Sequence, residues 1–341
     1  MVRTPRPSRP RRRVPRPLLV IGSVVAVVAL LAGVSMVGSL VTTLFQTLSA
    51  RPPAVDTRIV APDESKAAQA ARAGDRNADQ NAAADWLATQ PTTYWLTPEI
   101  DPVDAVWDRV AHLAAEAREQ DAALSIAIYG LPDRDCGNHS AGGLDPESYG
   151  TWTARIGDAL GNASDIQKIV VLEPDSIALS SSCGSPADRA SYLRTAVDNL
   201  RGTDTWIYID GGHSAWHPVD EIADLIRATG LLPSVRGVAL NVSNYQDTAA
   251  EFAYAHALSD RLGGTHALID TSRNGAGPAG TQWCNPSGRL VGSGGGAYGD
   301  DVVDTNLWIK PPGESDGECN GGPPAGTWWP ASAVELTREQ R

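Results

Sequence analysis

Short runs rich in β-branched and aromatic residues recur along the chain. They fall at 124–129 (LSIAIY), 168–172 (KIVVL), 205–210 (TWIYID), 237–242 (GVALNV), 266–270 (HALID) and 306–310 (NLWIK), with a weaker run at 93–96 (TYWL). Between them, apolar residues follow helical spacing over 104–120, 149–160, 186–200, 218–229 and 249–262. Strands alternating with helices of this length predict an α/β fold with a parallel sheet, each helix carrying the chain back across it. Seven such units favour a β/α barrel, complete or short of a strand, over an open doubly wound sheet. No Gly-x-Gly-x-x-Gly follows a first strand, which counts against a dinucleotide fold. Residues 66–87, rich in Ala, Asp, Arg and Asn, predict one helix leading into the domain, and 292–296 (GSGGG) a loop.

The N-terminal pattern is different. Residues 1–17 form a basic tail with seven arginines and no acid, and 17–50 carry no charge. The apolar stretch is densest over 18–41, at 24 residues. A bilayer-spanning helix needs about 20 apolar residues, whereas the apolar part of a cleaved signal is only about 7–15 long. Residues 18–45 are therefore read as a transmembrane anchor or a signal segment, with the arginines on the cytoplasmic side. Both readings make the remainder extracellular, either membrane-anchored or secreted. Residues 51–65, with three prolines and no helical period, read as a linker, and 66–341 as the functional domain.

Charge sharpens the division. The chain is −12 overall, but residues 18–341 hold 21 basic and 40 acidic residues, a balance of −19. So acidic a domain is not expected to bind nucleic acid, because phosphate neutralisation needs clustered Lys and Arg. Nothing in the sequence signals an oligomer, so a monomer is expected. The four cysteines, Cys136, Cys183, Cys284 and Cys319, suggest two disulfides in an exported chain, with three pairings open to counting alone. Ten Trp and eight Tyr against two Phe point to flat surfaces with a polar edge.

Chemistry in a barrel belongs where strands end, and here those positions are crowded with polar residues. The segments are YGLPDRDC from Tyr129, EPDS from Glu173, DGGHSAWH from Asp210, NVSNY from Asn241, DTSRN from Asp270 and KPPGESD from Lys310. Any one aspartate there could cap a helix or make a turn, and Asp133 is read as a turn residue. A set of five or more, with only Arg134, Arg273 and Lys310 nearby, is expected to raise pKa values within it, as a general acid requires. Paired carboxylates across a cleft are what glycoside hydrolysis needs, and Trp95, Trp216 and Trp283 would offer stacking faces. Trp107 and Trp152 fall in helical periods and are expected in the core, while Trp328 and Trp329 are unassigned. His213 and His217 have the spacing of a helical zinc pair, but Gly211 and Gly212 before them and Pro218 after them make a loop. No metal and no cofactor is expected.

Taken together, YGLPDRDC, VVLEPDSIAL, YIDGGHSAWHP, NVSNY, IDTSRNG, QWCNPSGR and LWIKPPGESDG resemble glycoside hydrolase family 6, the cellulase family, over roughly 86–334. The resemblance implies a distorted, seven-stranded barrel and hydrolysis of β-1,4-glucan with inversion, without a metal. It implies Asp175 as general acid, Asp135 as the aspartate supporting it, Asp316 as candidate base, and Tyr129 beside the distorted sugar. Trp95, His213, Trp216, Asn241, Trp283, Lys310 and Glu314 match sugar-binding positions. Cys136–Cys183 and Cys284–Cys319 match the family's disulfides. One position departs: where many members carry a serine thought to hold the attacking water, this chain has Ala141, preceded by Ser140. Short segments near the last strand imply an open cleft. The expectation is an endo-β-1,4-glucanase, the alternatives being a cellobiohydrolase or a weakly catalytic glucan-binding or remodelling protein.

Overall fold

Seven strands pair side by side in chain order, every neighbour parallel. They are β1 (Tyr94–Leu96), β2 (Leu124–Ile128), β3 (Lys168–Leu172), β4 (Thr205–Asp210), β5 (Gly237–Leu240), β6 (His266–Asp270) and β7 (Val303–Leu307). The computed structural model describes residues 50–74, 76–182 and 186–341. The basic tail and the apolar 18–45 segment lie outside these residues, as does Cys183. Among the described residues no helix is long and apolar enough to cross a membrane.

Strand side chains alternate between two cores. Ala127, Ile169, Val171, Tyr208, Ala239, Leu268 and Leu307 pack inside the curled sheet. Ile126, Ile128, Val170, Leu172, Ile207, Ile209, Val238 and Leu240 face outward and meet the helices. Those helices are α1 (Lys66–Ala73), α2 (Ala78–Ala88), α3 (Val106–Glu119), α4 (Pro146–Asn162), α5 (Pro186–Leu200), α6 (Val219–Thr229), α7 (Thr248–Leu262) and α8 (Pro330–Leu336). The edges β1 and β7 form no ladder with each other among the described residues. They approach where the Thr93 N–H donates to the Trp308 carbonyl (2.9 Å), so the barrel is incomplete, seven-stranded and distorted.

Three sequence expectations change. The helix expected over 66–87 is two, because Gly74 takes a left-handed turn (φ 59°) and the Asn77 side chain caps a new helix at the Gln80 N–H. The last strand is Val303–Leu307, three residues earlier than expected. Its ladder cannot continue through Ile309 and Lys310, whose N–H groups donate to the Asp270 carboxylate (3.1 and 3.0 Å). Trp107 is not core: it is 37% exposed on α3, whereas Trp152 is fully buried with its indole N–H on the Asp101 carbonyl (2.8 Å).

Candidate active site

The C-terminal ends of the strands are built on strained backbone. Asp133, Asp135, Cys136, Glu173, Asp175, Asn241, Ser243 and Asn285 all have positive φ, a conformation that costs non-glycine residues energy. After β2 the chain turns sharply through Asp133, which is exposed, and the Arg134 guanidinium holds the returning loop. Arg134 donates to the carbonyls of Tyr129 and Ser140 (both 2.8 Å) and pairs with Glu99 (2.9 Å). This fold brings Asp135 toward the end of β3, where Glu173 and Asp175 reverse the chain again.

Asp175 faces the cleft. Burial pushes its carboxyl well above the usual carboxylate range, and the neighbouring charges of Asp210 and Asp135 push it further, against the pull of Lys310. Asp135 is also raised by burial, less so because the Ser140 N–H donates to it (2.7 Å). The Tyr129 phenol is held protonated, chiefly by burial and then by Asp175 and Asp135. Its ring meets Trp95 edge-on, centroids 5.2 Å apart.

Asp316, beyond β7, has a different environment. Arg273 donates to both its oxygens (2.9 and 3.0 Å), and the Tyr245 hydroxyl (2.9 Å) and the Asn285 N–H (3.0 Å) reach the same carboxylate. The Asn285 side-chain Oδ1 accepts from the Asp316 N–H in return (2.8 Å), and the guanidinium stacks on Tyr245 at 4.4 Å. The Cys284–Cys319 disulfide (Cα–Cα 6.2 Å) joins the two segments beside Asn285 and Asp316. The partner expected for Cys136 lies outside the described residues.

The other rim carboxylates fasten the backbone. Asp270 accepts N–H groups from Ser243, Ser272, Ile309 and Lys310, joining the ends of three strands. Glu173 accepts from Gly130 and Leu131, and Asp210 from Asp175 and Gly212. Crowding on the rim thus has two causes, and only part of it is available for chemistry.

A cleft of about 780 Å³ lies over these residues. Trp95, Tyr129, Asp135, Asp175, Trp283, Lys310, Glu314 and Asp316 line it, as do Ser140 and Ala141. Acidic side chains of contrasting environment thus share one groove with the indoles of Trp95, Trp283 and Trp328. Against known proteins, the profile described as "Glycosyl hydrolases family 6" matches residues 54–340.

The chain belongs to glycosyl hydrolase family 6. Endoglucanase A of Cellulomonas fimi is 40% identical over 257 residues, 75% of this chain, which spans 56% of that relative's length. Endoglucanase A of Thermobispora bispora is 35% identical over 90% of this chain and 67% of its own. Among solved structures, the endoglucanase Cel6 of Mycobacterium tuberculosis, in complex with methyl-cellobiosyl-4-deoxy-4-thio-β-D-cellobioside, superimposes with a TM-score of 0.75. It is 36% identical, over 83% of this chain and 97% of that one.

Within this family 6 fold, three sequence-selected residues stand apart from the cleft lining. Asn241 is fully buried, and its amide is used by the Asp270 carbonyl (2.8 Å) and the Gln246 N–H (3.0 Å). His213 and Trp216 lie together beyond β4, ring centroids 5.7 Å apart, with His213 pushed down to about 4 by burial. His217 bonds the Ala178 carbonyl (3.0 Å) and Glu221 (3.1 Å), consistent with a loop histidine rather than half of a zinc pair.

Four further residues support the groove's carboxylates, one of them lining it and three behind Asp316. Tyr245, Arg273 and Asn285 surround Asp316, and Lys66 of α1 reaches across to Glu314 (3.3 Å). The motifs NVSNY, IDTSRNG and QWCNPSGR contain the first three. Lys66 lies in no motif, and its partner is 248 residues away.

Proposed function

We propose that this protein is an inverting endo-β-1,4-glucanase acting on internal bonds of cellulose or a related β-glucan. Asp175 serves as general acid: its proton is kept by burial and by the charges of Asp210 and Asp135, and it passes to the leaving glycosidic oxygen. Asp135 acts on that proton through its charge. Asp316, matched by Arg273, is the candidate base that orients water on the opposite face of the sugar. Tyr129 stands beside the sugar that distorts. Trp95 and Trp283 offer stacking faces, and Lys310 and Glu314 offer polar contacts to hydroxyls. The single observation that carries the reading is the contrast between the proton-retaining Asp175 and the Arg-paired Asp316 in one cleft.

Relatives at 35–40% identity are named endoglucanases, whereas those named cellobiohydrolase C are 28–29% identical. Only 21 residues (285–305) follow Cys284 before the region expected to form the last strand, and Cys319 follows Asp316 by three, so little chain is available to roof the cleft. Both observations favour internal cleavage.

The test is release of reducing ends from carboxymethylcellulose together with viscosity. The wild type should lower viscosity steeply at low conversion, and Asp175→Ala should lose about 10²–10⁴ of the rate. Slow viscosity loss with cellobiose as main product would make the enzyme a cellobiohydrolase. Binding without hydrolysis of any β-glucan would make it a binding or remodelling protein.

We also propose that residues 18–45 anchor the enzyme outside the cytoplasm as a monomer. The full chain should then stay with membranes through an alkaline carbonate wash. A mature N-terminus near Arg51 would overturn the tether and leave a secreted enzyme.

A further inference from the structure

Before entering α1, the chain runs along α3 and the segment that follows it, and is fastened to them at several points. Ile59 pairs with Ala123 in a parallel bridge, and the Val60 N–H donates to the Ala123 carbonyl (3.0 Å). Ala61 exchanges two hydrogen bonds with the Gln120 amide (2.9 and 3.0 Å). The Asp63 N–H then donates to Glu116 Oε1 (2.8 Å). At that point a histidine and two carboxylates converge.

His112 and Glu116 are one turn apart on α3, so their side chains share a face. His112 Nε2 lies 3.1 Å from Asp63 Oδ1 and 3.9 Å from Glu116 Oε2, and the three ligand atoms all lie within 4.8 Å of one another. Ligands about 2.0–2.2 Å from a tetrahedral zinc stand about 3.4 Å apart, between the two observed distances.

A second feature separates this cluster from an ordinary surface ion pair. Glu116 is only 7% exposed, and its Oε2 is buried with no hydrogen-bond partner. Its other oxygen is fixed by the Asp63 N–H, so the unpartnered oxygen is held toward His112. A buried carboxylate oxygen without a donor is costly and calls for one. Nearby arginines act on the cluster only at longer range: Arg72 donates to the Asp63 carbonyl, and Arg109 pairs with Glu64 and Asp101 while feeling the charges of Asp63 and Glu116. Among the described residues, the ion pairs of the Asp63 and Glu116 carboxylates are with His112 alone.

We propose that Asp63, His112 and Glu116 bind one divalent transition-metal ion, Zn²⁺ by the chemistry of the ligand set, which staples the segment before α1 to α3. An imidazole with two carboxylates suits Zn²⁺ better than Ca²⁺ or Mg²⁺, which prefer oxygen alone. The half-exposed His112 leaves an entry path, and water completes the coordination. The site is structural. It fixes Ser65 and Lys66, which line the cleft, without itself touching Asp135, Asp175 or Asp316. It joins residues 49 apart in sequence, so no local spacing announces it.

Titration of the full chain with ZnCl₂ after EDTA treatment tests this by calorimetry, thermal unfolding and hydrogen exchange. One Zn²⁺ per chain should bind, Tm should rise by about 5 °C at hundredfold excess over Kd, and the amides of 61–66 should exchange more slowly. His112→Gln, an exposed substitution compatible with folding, should weaken binding on the order of 100-fold and remove these responses. Glu116→Gln should do the same if it folds, and His112→Gln decides if it does not. No Zn²⁺-dependent response would overturn the site, leaving a bare His–carboxylate cluster. So would an equal response in His112→Gln, or one to Ca²⁺ and not to Zn²⁺.

Discussion

Asp175 holds its proton because of four different influences, and they can be separated. Burial is the largest, the charge of Asp210 is next, Asp135 follows, and Asp316 adds the least. Asp210 also accepts the Asp175 N–H, so removing it disturbs the backbone as well as the charge. Asp135 contacts its own loop, through the Ser140 N–H, and can be neutralised with less disturbance. Asp135→Asn takes away a negative charge that favours protonation of Asp175, so the pKa of Asp175 must fall. A general acid works only while protonated, and the alkaline limb of kcat/KM should therefore move to lower pH. A pH profile of the variant on a soluble β-glucan checks this. An unmoved limb, with activity lowered equally at all pH, would assign Asp135 a purely geometric role.

At the scale of elements, the barrel depends on where side chains are small. A Cβ on Gly237, at the start of β5, would sit 1.9 Å from the His266 carbonyl oxygen on β6, and backbone cannot move aside without parting the strands. Gly237→Ala should destabilise the fold by at least about 1–3 kcal/mol, the usual cost of overpacking. Gly161, near the end of α4, has open space around its would-be Cβ, so Gly161→Ala should raise stability by about 0.4–1 kcal/mol. Denaturant unfolding of the pair should move in opposite directions, and a harmless Gly237→Ala would disprove the tight β5–β6 approach. The strands were legible wherever their residues are apolar on both faces, as in KIVVL. Val303–Leu307 was not, because Asp304 and Asn306 look like loop residues. Their burial is intelligible only once Arg236, Tyr208 and the Gly294 carbonyl are seen beside them. For the same reason the acid motifs were readable in sequence while the Arg273 pairing of Asp316 was not: that contact spans 43 residues. Trp107 failed because helical spacing does not tell which stripe faces the sheet.

For the molecule as a whole, buried carboxyls outside the reaction fix the pH range of stability. Burial raises Glu173 and Glu251 to about 7, although each accepts backbone N–H groups. A carboxyl raised in the folded state favours folding while both states are protonated. That contribution is complete below the ordinary value near 4.5 and is lost as pH rises through about 7. Surface acids act in the opposite sense. Arg118 holds Asp165 below the usual range and Arg134 offsets the burial of Glu99, so their contributions vanish as pH falls. These groups are exposed or half-exposed, solvent weakens their effect, and their window lies below about pH 4.5. Stability should therefore peak between about pH 4.5 and 6 and decline toward pH 8, where a balance of −19 over residues 18–341 adds self-repulsion. Calorimetric Tm from about pH 4 to 8 checks the shape. Glu251→Gln removes one of these buried titrations and should flatten the decline above about pH 6. A Tm that climbs steadily to pH 8 in the wild type would mean that Glu173 and Glu251 are already ionised in the fold, with their charges compensated by the amides that meet them.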